Sequence, residues 1–350
     1  MAQINKPNTY FNTVLYTGNA TDNHTITGVN FQPDWVWVKG RSEVSSHRLN
    51  DVVRGAGKEL LTNTTDAEYT YSPNTSLKSF DSDGFTLGTD NGINKSSVTY
   101  TSWNWLAGGT AVSNTQGSIT SSVSANTTSG FSIVSWTGNG SNGATIGHGL
   151  GVTPAIVITK RRSAVGDWLV GGSLIDTVRG GANSLLLLNT TAAMDSNSEV
   201  YQTFSSTTFQ VGVNAYANTS GSTMISYCFA EKKGYSKFGS YTGNGSADGP
   251  FVYTGFAPAF VLIKRTSSAG NNWQLYDNKR NAFNVINNVL FPNLSDAEAT
   301  QSTTNIDMLS QGFKLRGNSA TVNGSGDSYI YMAFAESPLV TSTGIPTTAR

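Results

Sequence analysis

Three short apolar runs recur along the chain, each preceded by a proline and closed by a lysine. They are Pro33-Asp34-Trp35-Val36-Trp37-Val38-Lys39, Pro154-Ala155-Ile156-Val157-Ile158-Thr159-Lys160 and Pro258-Ala259-Phe260-Val261-Leu262-Ile263-Lys264. Proline cannot donate a ladder hydrogen bond, so it suits the start of a strand. The runs are too short to span a membrane and read as strands buried on both faces. The terminal lysine is expected to lead the chain back to water.

Around each run the same order of signals returns. A strand end enters a Thr-Gly-Asn turn at Thr17-Gly18-Asn19, Thr137-Gly138-Asn139 and Thr242-Gly243-Asn244. An Asp-x-x-Arg pair follows at Asp51/Arg54, Asp176/Arg179 and Asp277/Arg280, and an alternating aromatic strand closes each unit. Repetition at this length marks the architecture. Short strands broken by Gly and Asn turns predict an all-β fold: three tandem antiparallel β-sandwich repeats, jelly-roll or lectin-like, of about 100 residues each. The expected division is an N-terminal arm at 1–14, repeat one at 15–109, a Ser/Thr/Gly linker at 110–129, repeat two at 130–233, repeat three at 234–337, and a C-terminal tail at 338–350. Only Leu49 to Leu61 and Asn281 to Leu290 hold a plausible helical turn.

Composition narrows the function. Charged residues are 13% of the chain, with 22 basic against 22 acidic, so the net charge is zero. Phosphate binding needs clustered Lys and Arg, so nucleic acid is not an expected partner. Nor is membrane insertion, since no long apolar run exists. A neutral surface favours self-association, which suits a homo-oligomer. No signal-peptide core opens the chain, so synthesis in the cytoplasm is expected. The single cysteine, Cys228, lies in a strand-like apolar run and reads as a small core residue.

Catalysis finds no sequence signature. The carboxylate pairs Asp66/Glu68, Asp296/Glu298 and Asp81/Asp83 lie in turn-like surroundings, and His24, His47 and His148 are isolated. No catalytic residue, cofactor or metal is assigned, although Asp81, Asp83 and Asp90 offer loop oxygens of the kind calcium takes. The Asp-x-x-Arg pairs read as ion pairs or turn caps that hold each unit. Trp168 and Trp273 precede that motif, with His47 in their place in repeat one. They are the candidate ligand-binding residues, since an aromatic near a turn can stack on a sugar ring. The Trp35/Trp37 and Trp103/Trp105 pairs read as core or interface.

Asn5-Lys6-Pro7 with Tyr10-Phe11, Tyr16-Thr17-Gly18-Asn19, the Gly28 to Lys39 segment and Asp51-Val52-Val53-Arg54-Gly55 together resemble a repeated β-domain of tailed-phage virion proteins, including those of cyanophages. Such domains are often labelled tail-fibre or lectin-like. The likeness covers all three repeats, most clearly the first, and the third departs from it in that Asn278-Lys279-Arg280-Asn281 replaces the Val-Arg-Gly form. It implies a virion component with no catalytic residues and other virion proteins as partners. The resulting expectation is a tail- or fibre-associated module that binds host surface glycan. The alternatives are a capsid decoration or tail-sleeve protein with no host ligand and, more remotely, a polysaccharide depolymerase.

Overall fold

The computed structural model describes residues 3–71 and 75–336, and the expected tail at 338–350 lies outside them. The chain is all-β, and the same pairing order occurs three times. In the first unit the large sheet runs Phe11–Thr17, Thr99–Trp105, Trp35–Gly40, Arg48–Asp51, Lys58–Leu61, Tyr69–Thr70. Its counterpart in the second unit has the four-strand core Phe131–Thr137, Thr223–Phe229, Ile156–Arg161, Trp168–Gly171. In the third it is Ser236–Thr242, Ser328–Ala335, Pro258–Arg265, Gln274–Asp277. Each large sheet faces a three-stranded one: His24–Thr27, Gly84–Leu87, Leu77–Asp81; then Ala144–Gly147, Thr208–Val211, Tyr201–Phe204; then Phe251–Tyr253, Gly312–Leu315, Ile306–Leu309. All named strand pairs are antiparallel.

The proline-led runs are the central strands, and period-two alternation explains why they are apolar throughout. Val36 and Val38 enter the core between the two sheets of the first unit, while Trp35 and Trp37 point the other way. Val157 enters the second unit's core, and Ile156 and Ile158 point away. Val261 and Ile263 enter the third, and Phe260 and Leu262 point away. The outward-pointing residues of all three units meet in one further core. Trp35 stacks on Tyr227 at 4.7 Å between ring centres, Trp105 lies 5.5 Å from Phe334, and Phe229 lies 5.9 Å from Phe334. The three units are therefore wedges around a shared aromatic centre, not separate beads. A small apolar void remains there, lined by residues such as Trp35, Trp105, Phe229, Phe260 and Phe334.

The Thr-Gly-Asn turns have a common anchor. The amides of Asn19, Asn139 and Asn244 each donate to a buried asparagine side chain, Asn94, Asn218 or Asn323, at 2.9 Å. A methyl group on Gly18, Gly138 or Gly243 would overlap the carbonyl oxygen of Lys95, Thr219 or Gly324, so the turn requires glycine there.

Several expectations change. Of the two readings that residues 110–129 allow, a linker or an edge strand suggested by the alternation in Ser118-Ile119-Thr120 and Ser122-Val123-Ser124, strands are what form: Val112–Asn114 and Ser121–Asn126 extend the second unit's large sheet. The arm at 1–14 ends in the first strand, and Phe11 is part of the shared core. Leu49 to Leu61 contains two strands and a turn, and no helix falls between Asn281 and Leu290. At Asp51 and Asp277 the side chain caps a turn that is not continued into a helix: the Arg54 amide donates to Asp51 and the Arg280 amide to Asp277, each at 2.8 Å. The longest described helix, Ser173–Arg179, was not expected.

A shared core makes the three units one cooperative body. Chemical denaturation followed by tryptophan fluorescence and by far-UV circular dichroism should give a single, coincident transition. Phe334→Ala should lower stability by about 3–5 kcal/mol. Separate transitions for separate units would contradict the shared core.

Candidate functional site

Several of the side chains singled out by sequence lie along the seams between units. His47, Trp168 and Trp273 occupy equivalent places, each with its backbone amide bound to an asparagine side chain, Asn63, Asn189 or Asn293. All three are buried, and none offers a face to solvent. Each tryptophan reaches the previous unit: Trp168 Nε1 donates to the Leu61 carbonyl at 2.8 Å and Trp273 Nε1 to that of Leu187 at 3.0 Å. His47 accepts from Trp37 Nε1 at 3.0 Å and turns its other nitrogen toward Phe291, without an ordinary hydrogen bond. Burial, with Lys39 and Arg280 nearby, pushes its pKa well below the usual imidazole value. These three positions are seam residues rather than sugar platforms.

The rest of the seam repeats cyclically. Glu68 N donates to Arg162 O at 2.8 Å, Met194 N to Thr266 O at 3.0 Å and Glu298 N to Arg41 O at 2.8 Å. Arg162 Nε pairs with Glu68 at 2.7 Å, and Arg41 pairs with Glu298 at 2.9 Å. Burial raises the Glu68 carboxyl, but the hydrogen bonds and charges of Arg162 and Arg54 outweigh it and hold the pKa below the usual value. The Asp-Ala-Glu turns are thus staples between units.

The Asp-x-x-Arg motif divides. Asp51/Arg54 and Asp277/Arg280 form fully buried ion pairs, each arginine also reaching a seam glutamate, Glu68 or Glu298. Tyr227 of the second unit donates to Asp51 at 2.8 Å, and Trp103 of the first donates to Asp277 at 3.0 Å. Asp176 and Arg179 do not pair. They lie on the short helix, where Arg179 is bound to Met194 O and Ser196 and Asp176 accepts from Ser184 N. The position equivalent to Asp51 and Asp277 is Gly172, four residues past Trp168. Its φ is 136°, and a side chain there would strike the Ala155 carbonyl. The matching letters are displaced by one helical turn, so the second unit differs from the other two at this site.

The lysines closing the central strands do not return to water. Lys39, Lys160 and Lys264 are fully buried. Lys39 Nζ donates to Gly40 O at 2.7 Å, Lys160 Nζ to Thr65 O at 2.9 Å and Lys264 Nζ to Asn271 O at 2.6 Å. Burial pulls each amine down to about 8.

The remaining candidates are dispersed. His24 Nδ1 binds Asn94 Oδ1 at 2.8 Å, and His148 Nε2 lies 3.2 Å from Ser205 O. Asp83 accepts the amides of Gly28 and Asn30, Asp81 accepts from Thr86, and Asp90 caps residues 91–94. Among the described residues no group of three or more His, Cys, Asp or Glu is placed to hold a metal ion. Cys228 is buried beside Ser132, and burial pushes its thiol up. Among the described residues no helix is long and apolar enough to cross a membrane.

The geometry defines an all-β protein in which one sandwich topology recurs around a common core. The chain belongs to the family described as Domain of unknown function (DUF7483), whose model matches residues 6–338. No curated protein and no solved structure matches the chain.

The seam chemistry has separable signatures. Arg54→Met should cost about 3–5 kcal/mol, because it strands the buried Asp51 carboxylate. Arg179→Met should stay within about 0.5 kcal/mol, as expected of a surface change. Equal effects in urea titrations would contradict the one-turn displacement. The lysines give a pH signature. From about pH 8 to 10.5 the unfolded chain still holds protons that the folded chain has released, so stability should rise with pH. Above about pH 10 buried tyrosines such as Tyr201 and Tyr276 oppose this, since burial raises their pKa. The urea midpoint measured across this range should climb and then turn over, and Lys160→Met should flatten the climb.

Proposed function

We propose that this chain is a non-catalytic structural building block of a virion surface, in the manner of a decoration or sleeve protein. One observation carries this reading. Trp168, Trp273 and the Asp51/Arg54 and Asp277/Arg280 pairs, which the sequence marked out, face inward, where they lock the units to one another. Trp168 and Trp273 fill space and donate single hydrogen bonds to carbonyls. In the seam pairs Asp66/Glu68 and Asp296/Glu298 the glutamate is held by arginines, which leaves neither pair with two free carboxylates to act as acid and base across a bond. The phage-domain resemblance of the sequence supports placement on a particle, and the low charge of the chain supports life in an assembly.

The attachment reading rested on exposure of Trp168, Trp273 and His47, and these are the residues the seams consume. A rigid body with its reactive groups turned inward serves as a spacer or cover that presents a fixed outer surface to neighbours. The second reading therefore remains glycan attachment, at a surface other than those residues.

Antibody raised against the purified chain should label intact phage particles at regular positions in electron micrographs. Labelling confined to material outside particles would remove the virion assignment. On a glycan array the chain should bind no host-envelope polysaccharide above background. Saturable binding there would restore attachment as the function.

A further inference from the structure

The small sheets of the second and third units differ in what lies along their outer edges. In the second unit the edge strand Ala144–Gly147 is closed by a segment of the chain itself. Ile119 bridges Ile146 in parallel, and its amide donates to Thr145 O at 3.0 Å. Ser118 and Thr145 exchange side chain–amide hydrogen bonds at 2.8 and 2.9 Å. Gly117 passes so close that a side chain there would strike the Thr145 carbonyl, and Ile119 is buried against the second unit's core. This closing strand comes from the long connection between Trp105 and Phe131.

The third unit has no such connection. Only residues 230–235 separate the strand ending at Phe229 from the one starting at Ser236. Its edge strand, Phe251–Tyr253, pairs with Gly312–Leu315 on one side and with no strand of the described residues on the other. The direction of its free groups follows from the ladder. Leu315 N bonds Pro250 O, and Thr254 N bonds Gln311 O, so even-numbered residues face the sheet. By antiparallel alternation, Phe251 and Tyr253 turn their amides and carbonyls outward. Phe251 is the counterpart of Thr145, the residue that receives the closing strand. The side chains at this edge are also unusual. Phe251 is 47% and Tyr253 63% exposed, where the first unit has Thr25 and Thr27 and the second has Thr145 and Gly147.

We propose that the outer edge of Phe251–Tyr253 is an acceptor for an extended segment of a partner protein, which adds as a parallel strand. The chemistry of that segment is given by the one that closes the second unit. It is uncharged, with small residues where backbones touch and one β-branched apolar residue, as in Gly117-Ser118-Ile119. Main-chain hydrogen bonds supply the attraction, and the two exposed aromatics cover the added strand. Symmetric pairing of two copies through this strand would be antiparallel and would set only three residues against three, unlike the parallel closure seen in the second unit. The inference stands on strand geometry and does not depend on the virion assignment.

The test uses the full chain and a fluorescent peptide with the sequence of residues 114–121, followed by anisotropy. Saturable binding is expected. Tyr253→Pro removes one outward amide and no ladder bond, so it should weaken binding about tenfold or more. Should that variant fold poorly, Phe251→Thr with Tyr253→Thr gives the strand the side chains of the first unit and should also weaken binding. Absence of saturable binding, or binding that both variants leave unchanged, would overturn the proposal. Self-association of the chain that both variants abolish, with no peptide binding, would overturn it in favour of an interface between copies.

Discussion

The structure depends on burying both faces of three central strands. One face of each strand closes its own sandwich, and the other must find apolar cover elsewhere. With Trp35, Trp37, Ile156, Ile158, Phe260 and Leu262 on that second face, the cover is the matching face of the neighbouring units. Burial of side chains this large contributes on the order of 2–3 kcal/mol each. No unit standing alone could hide this surface. Three-fold packing is thus the way this repeat satisfies its own composition.

Once the units are wedged together, their margins come into contact and must settle their polar groups. Every seam uses the same backbone contact, from Glu68, Met194 or Glu298 to the unit beside it. The side chains vary more. Two seams carry an Asp-Arg-Glu cluster, and the third has Gly172 and Met194 at the positions of the aspartate and glutamate. The clusters are all-or-nothing arrangements, because removing one partner leaves a buried charge. The second unit avoids that dependence by omitting the charges altogether. The buried lysines show the same economy, with strand-end amines donating to carbonyls of the adjoining turns.

This inward use of chemistry shapes the functional reading. A residue can serve a ligand only if it keeps a face or a hydrogen-bonding group free. Trp168, Trp273, Arg54 and Arg280 keep none. What the described surface does leave open is main-chain valence at the outer edges of the first and third units' small sheets, with exposed aromatics at the edge of the third. That is a resource for assembly rather than for turnover, and it arises because one connection is short where another is long.

The sequence by itself determined the repeating unit. Proline-led apolar runs, Thr-Gly-Asn turns and alternating aromatic strands are local signals, because strand burial and turn geometry are read over a few residues. It could not say which way the second face of each run would turn, since a run buried on both sides looks the same whether its cover is a helix, a sheet or another copy. It also misplaced Asp176 and Arg179: the letters matched Asp51 and Arg54, but spacing from Trp168 puts Gly172 in the aspartate's place. Trp168, Trp273 and His47 hold equivalent places in the repeat, yet whether they meet solvent or a neighbouring unit is decided only by tertiary packing. Exposure belongs to the assembled body, because it is set by residues far apart in the chain, as with Trp273 and the carbonyl of Leu187.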